Sequence, residues 1–303
     1  MLLTPQNYHS QMSNEHYMSN SQYGNFLQCP ACAVAQIKGR WDTGEKEAFL
    51  FGGYVDCALL TPLDLPAWWA NHQSAMIEVG LLSKAMKTRG AKLAKMIQAD
   101  AMISRASQDE LFMEMLQGQQ QQIFTSEIAG VPFRVMLDAL NVEKKRIVDL
   151  KTTKNAIKSS WFDADTIFDR LNGVQNFHKF KGMFFDEFSY FRQGAVYSRV
   201  VGDELKLDTS DWDVYLAVIS KHKPTDCNPM LSQDKTVMLR ILEMSADRDA
   251  MKHEMEMMES NLPIIAKWKN GEEPPPACGE CAFCIAVQPS RIEKIHSVIW
   301  ERR

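Results

Sequence analysis

Three Asp/Glu-x-Lys triplets carry the charge chemistry of this sequence: Glu143-Lys-Lys145, Asp149-Leu-Lys151 and Glu204-Leu-Lys206. The first and last lie in polar stretches that read as turns, where charged residues collect anyway. Asp149-Leu150-Lys151 instead closes an apolar run, Ile147-Val148, and reads as the end of a strand. Side chains alternate along a strand, so Asp149 and Lys151 share one face and Leu150 turns to the core. The preceding run, Val131–Leu140, carries a second carboxylate, Asp138, and as an antiparallel neighbour would bring it alongside. Like charges at a buried strand end are unfavourable unless a cation lies between them. A divalent ion with oxygen ligands meets that need. Asp138 and Asp149 would hold Mg²⁺ or Mn²⁺, with the Leu150 carbonyl as a further ligand, and the ion would polarise a phosphate and acidify a bound water. Lys151 would orient or deprotonate that water and offset charge in the transition state. The competing reading of the strands alone is a surface ion-pair trio on a hairpin.

A second constellation is built from sulfur. Five of seven cysteines fall in two clusters at opposite ends of the chain, Cys29 and Cys32, then Cys278-Gly-Glu-Cys281-Ala-Phe-Cys284. The CxxCxxC spacing is typical of iron–sulfur ligation. One further thiol from the N-terminal pair would also complete the four ligands of a zinc ion. Cys57 and Cys227 stand alone and read as ordinary buried thiols.

The elements that must position these groups follow from periodicity. Residues 22–117 read as helical, with apolar positions recurring at three and four and a capping box at Ser107-Gln-Asp-Glu110. Thr61–Pro66 is a helix boundary. Three strands follow, Gln122–Glu127, Val131–Leu140 and Arg146–Lys151, joined by hairpins at Ile128–Gly130 and Val142–Lys145. A long helix is expected from Phe177 to Val201, a strand over Trp212–Ser220, and helix again over 235–268. In the long helix Gln193 and Tyr197 share one face. The Phe184–Phe191 aromatic residues read as core, and Met251–Met258 as a packing face or oligomer contact. Asp56 lies in an apolar stretch, Tyr54–Leu60, where an isolated carboxylate is expensive to bury. Basic stretches at Lys84–Lys95 and Lys144–Arg146 are candidate phosphate contacts or solvated faces. His178 and His222 read as surface residues. The sum is an α/β fold, a central mixed sheet flanked by helices with a helical N-terminal region.

The run Val135-Met-Leu-Asp138 … Ile147-Val-Asp149-Leu-Lys151-Thr-Thr153 resembles the core of RecB/RecE-type PD-(D/E)xK nucleases, particularly phage exodeoxyribonuclease VIII-like proteins. Gln193-Gly-Ala-Val-Tyr197 matches their QxxxY motif. Gly52-Gly-Tyr-Val-Asp56 falls where relatives place a metal-ligating histidine, and here an aspartate stands instead. Glu127 falls where the family has an acidic residue on the strand before the catalytic aspartate. The resemblance implies one nuclease domain over 1–303, with a helical N-terminal portion over 1–118, a catalytic core over 119–268 and a cysteine-cluster tail over 269–303. It implies catalytic Asp138, Asp149, Lys151, Glu127, Gln193 and Tyr197, metal ligands Asp56, Asp138, Asp149 and Leu150, and a [4Fe–4S] cluster on Cys29, Cys278, Cys281 and Cys284, with zinc as the alternative. The implied activity is ATP-independent exonuclease digestion of linear duplex DNA, 5′ to 3′, leaving 3′ single strands for a RecT-like annealing protein. A homo-oligomer is expected. The alternatives are a structure-specific endonuclease and a catalytically silent DNA-binding protein.

Composition bounds these expectations. A net charge of −4 argues against a protein that coats DNA non-specifically, though not against an enzyme that concentrates carboxylates at its site. No apolar run approaches the roughly 18 residues of a membrane span, no secretory pattern opens the sequence, and no GxxxxGK[ST] run marks a nucleotide site. A cytoplasmic location is expected.

Overall fold

The computed structural model describes residues 2–42, 44, 47–84, 91–153, 160–163, 166–171, 179–182, 189–221 and 237–287. Among the described residues seven α-helices come first: α1 Gln11–His16, α2 Asn20–Gln28, α3 Pro30–Ile37, α4 Glu47–Leu60, α5 Leu65–Glu78, α6 Ala94–Ser107 and α7 Glu110–Met115. The sheet strands are β1 Gln119–Ile128, β2 Val131–Asn141, β3 Arg146–Thr153, β6 Asp213–Lys221 and β7 Val237–Glu243, in the spatial order β1-β2-β3-β6-β7. A separate short antiparallel pair joins β4 Ser160–Asp163 to β5 Lys179–Gly182. The remaining helices are α8 Ile167–Leu171, α9 Tyr190–Leu205, α10 Arg248–Asn270 and α11 Ala282–Val287. Among the described residues no helix is long and apolar enough to cross a membrane.

The three expected strands form an antiparallel meander, β1 on β2 and β2 on β3. Ala129 and Gly130, at φ 49° and 76°, make the two-residue turn between the first two, a left-handed pair whose twist suits a hairpin. β6 then lies parallel to β3, and β7 closes the sheet antiparallel to β6. Apolar side chains alternate between the two faces. Phe133, Val135, Ile147, Val214 and Leu216 pack with α2, α3, α9 and α10. Val148, Leu150, Ala217 and Ile219 pack with α4, α6 and α7. Helices thus cover both faces, which is why β6 is apolar without a break from Val214 to Ile219 and why the consecutive Ile147 and Val148 of β3 are both buried.

Several expectations are corrected. The helix expected from Phe177 begins only at Tyr190, and Lys179–Gly182 is a strand. The expected helix over 235–268 is a strand at Val237–Glu243 followed by α10: a short apolar run fits either element, and pairing along β6 decides it. Ser107 ends α6, and the cap of α7 is Asp109, whose carboxylate accepts from the Phe112 N–H. Phe184, Phe185, Phe188, His178, His222 and Cys227 lie outside the described residues. Of the basic stretches, Lys92 pairs with Asp100, Lys95 with Glu47, Lys144 with Glu114 and Lys145 with Asp211. These described lysines are therefore held on their own surface.

Candidate active site

The ladder between β2 and β3 runs only from Asn141↔Arg146 to Ala139↔Val148. Beyond it the strands separate, and the Asp138 side chain takes the place of the next backbone acceptor: its Oδ2 receives the Leu150 N–H at 2.7 Å. In an extended strand the N–H and C=O of one residue point to the same edge. The Leu150 carbonyl therefore also faces the Asp138 side, and the Leu150 side chain is buried in the core, as expected. Opposite Asp138 on β1, Gln121 adopts a left-handed backbone, φ 52°, and its Nε2 donates to Asp138 Oδ1 at 3.2 Å. Gln121 was not expected at the site, because a left-handed residue inside a run of four glutamines leaves no mark in the sequence.

Asp149 projects towards α9. Gln193 Nε2 donates to its Oδ1 at 2.9 Å and to Tyr197 Oη at 2.6 Å, and Tyr197 lies 3.4 Å from the same carboxylate oxygen. Both residues reach inward because α9 lies hard against the sheet. A Cβ on Gly194 would come within 3.1 Å of Val214, so a larger residue there would lift the helix. Lys151 Nζ stands 2.6 Å from Asp149 Oδ2, on the same strand face, as alternation requires. That oxygen is buried, and no donor among the described residues is aligned on it. Lys151 thus offers charge at contact distance without hydrogen-bond geometry. Its ammonium also lies 5.6 Å from the Tyr190 ring centre.

The fourth group comes from α4. Gly52 approaches β3 closely, with a Cβ there 3.5 Å from Thr152 Oγ1, and Asp56 follows one turn later on the same helix face. Asp56 is pushed well above the usual carboxylate range by burial and by Asp138, with Asp149 adding and Lys151 opposing. Asp138 is raised to about 7, by burial first and then by Asp149, against the pull of Lys151 and of the Leu150 and Gln121 donors. Burial would lower the Lys151 amine, yet Asp149 and Asp138 carry it well above its ordinary value. Burial and Asp149 raise the Tyr197 phenol. Asp56 and Asp138, both raised by burial and by neighbouring carboxylates, beside Asp149 with a buried oxygen lacking an aligned donor among the described residues, fit a hard divalent cation with oxygen ligands.

The expectation for Glu127 is corrected. It pairs with Pro132 at the far end of the β1–β2 hairpin and is exposed. Six residues separate it from Gln121, roughly 20 Å along a strand, so it does not reach this pocket.

The cysteines expected to meet do meet. Sγ atoms of Cys29, Cys278, Cys281 and Cys284 lie within 4.8 Å of one another, a grouping able to hold a metal ion or cluster. Cys29 caps α3, with Pro30 at the first helical position, and the Ala31 N–H bonds to the Pro276 carbonyl at 3.1 Å, which fastens the tail to this turn. Gly279, at φ 81°, makes the bend that returns the chain from Cys278 to Cys281. Burial raises the Cys29 thiol, whereas Cys278, despite burial, is lowered to about 7 by the backbone amides of Glu280 and Cys281. Cys32 stands beside the set but outside it, with Gln36 Nε2 3.7 Å from its sulfur.

No curated protein sequence matches this chain. Among solved structures, a protein from Eubacterium rectale described as "Putative exonuclease" superposes with a TM-score of 0.76 at 25% identity, over 98% of this chain and 97% of that one. Over residues 19–287 the sequence matches a family model described as a PDDEXK-like domain of unknown function (DUF3799), and with the carboxylate–lysine pocket and its glutamine–tyrosine helix inside that span, the chain belongs to this family.

Proposed function

We propose that the chain is a divalent-metal-dependent deoxyribonuclease that degrades linear duplex DNA from its ends, 5′ to 3′ and without ATP, leaving 3′ single strands for a single-strand annealing protein. The observation that carries this reading is the buried Asp149 carboxylate, clamped on one oxygen by Gln193 and Tyr197 and facing Lys151 with the other. The likeness to the Eubacterium rectale protein supports end-dependent cleavage.

Asp56, Asp138, Asp149 and the Leu150 carbonyl would hold Mg²⁺ or Mn²⁺, which supplies a polarised phosphate and an acidified water. The protein's own contribution is orientation. Gln193 fixes the rotation of the Asp149 carboxylate, and Tyr197 in turn fixes Gln193. The Leu150 N–H and Gln121 hold Asp138 by both oxygens. Lys151 sets an ammonium where it can align a water and offset charge gathering on phosphate oxygens. With the carboxylates fixed before substrate arrives, little reorganisation is needed at the moment of reaction.

Purified protein incubated with Mg²⁺ and duplex DNA labelled at the 5′ or 3′ end tests this. Release of 5′-labelled mononucleotides from linear duplex, with covalently closed circles left intact, is the expected result. Cutting of closed circles would replace exonuclease by endonuclease. Absence of any metal-dependent cleavage, with D149N indistinguishable from the native protein, would overturn hydrolysis altogether.

A further inference from the structure

We infer that the four-cysteine set holds one tetrahedral metal ion of the zinc type, where the family resemblance implied a [4Fe–4S] cluster. The size of the thiol cage carries the inference. Cys29 and Cys284 sulfurs are 3.5 Å apart, Cys278 and Cys284 are 3.9 Å apart, and all four lie within 4.8 Å of one another. Four thiolates on one zinc, each about 2.3 Å from the ion, sit at tetrahedral edges of about 3.8 Å. A cubane places each thiolate on a different iron, at the outer corners of a box already several bonds across. Its four sulfurs must then stand wider apart than they do around any single ion, and this cage is too small for it.

The local turns fix that size. Backbone N–H groups three residues on point at the sulfurs: Cys32 to Cys29, Cys281 to Cys278 and Cys284 to Cys281, at 3.5, 3.3 and 3.5 Å. Each such bond closes a tight loop and aims a sulfur inward, and donors of this kind stabilise thiolate charge. Trp41 and Phe283 pack edge to face with ring centres 5.6 Å apart, covering the α11 side. Cys32 follows Cys29 on the first turn of α3 yet lies outside the cage, so it is a neighbour and not a ligand.

The test uses full-length protein purified without oxygen from cells supplied with both iron and zinc. One zinc per chain, no acid-labile sulfide and no broad visible absorbance are expected. C284S should retain less than a tenth of that zinc, whereas C32S and D149N should retain all of it. Replacement by Co²⁺ should give the intense visible bands of a tetrahedral thiolate site in the native protein and in C32S, a readout that does not depend on C284S folding. Iron with a matching amount of labile sulfide would overturn the inference. So would a metal-free protein that fails to retain zinc or cobalt after gel filtration, or loss of the ion in C32S.

Discussion

Substituting Asp138 should make the metal-free protein sturdier while destroying its capacity to use metal. The carboxyl is held near pH 7 in the fold against an ordinary value of 3.8, chiefly by burial and by Asp149. A carboxylate raised in this way disfavours folding wherever the unfolded chain would ionise and the folded one would not. The penalty begins above about pH 4, grows until about pH 7 and is constant beyond. Three pKa units correspond to about 4 kcal/mol, an upper bound because Asp149 and Lys151 readjust together. In D138N the amide oxygen can keep the Leu150 N–H, and the new NH₂ can meet Gln121, whose own amide is free to turn over. The variant should therefore gain about 2–4 kcal/mol at pH 8 in chelator, a rise in Tm of roughly 5–10 °C, with little gain at pH 4. Thermal denaturation at the two pH values, with EDTA and then with Mg²⁺, reads both effects. The native protein should be stabilised by Mg²⁺ at pH 8 and D138N should not. A D138N protein less stable than native at pH 8 in EDTA, or one equally stabilised by Mg²⁺, would refute the account of the pocket.

K151A should lower kcat by about 10²–10³-fold and also weaken the metal-free fold by about 3 kcal/mol, since Asp149 then stands buried without its cation; Mg²⁺ should restore the Tm while leaving kcat low. Y197F should cost less than Q193A, about tenfold against about a hundredfold in kcat, because Gln193 touches Asp149 at 2.9 Å and Tyr197 at 3.4 Å; the reverse order in steady-state kinetics would show that Tyr197 carries the clamp. G118A should lower stability by more than about 3 kcal/mol, since its Cβ would collide with the Leu140 carbonyl oxygen at φ 142°, and urea denaturation would show it. Stripping the cysteine-held metal releases a tie between residues 29 and 284. Closing a loop of that length restricts the unfolded chain by about 5 kcal/mol, so a Tm drop of roughly 10 °C is expected with strong chelators.

Much of this site was legible in the sequence because it rests on local rules. Alternation in Ile147–Lys151 placed Asp149 and Lys151 together and Leu150 in the core, and short hairpins forced β2 beside β3. The four-residue spacing of Gln193 and Tyr197 survives as a shared helix face even though the helix begins thirteen residues later than periodicity suggested, at Tyr190 instead of Phe177. What failed was whatever depends on partners distant in the chain. Val237–Glu243 is a strand only because β6 offers an edge. Glu127 was assigned by its order among motifs, and order says nothing of distance along a hairpin. Gln121 contributes through a backbone conformation that its residue type does not announce.

The pairing of Cys29 with Cys284 has a consequence for biosynthesis. An N-terminal helix turn that emerges early from the ribosome cannot meet its partners until some 250 further residues have been made. Until then α2 and α3 are held by their packing on the sheet and α9, without the tie to the tail. A transcript truncated before the tail would encode a complete carboxylate pocket on a scaffold that cannot fasten its two ends. Such products should be cleared quickly, which would leave carboxylate pockets chiefly on chains finished past Cys284.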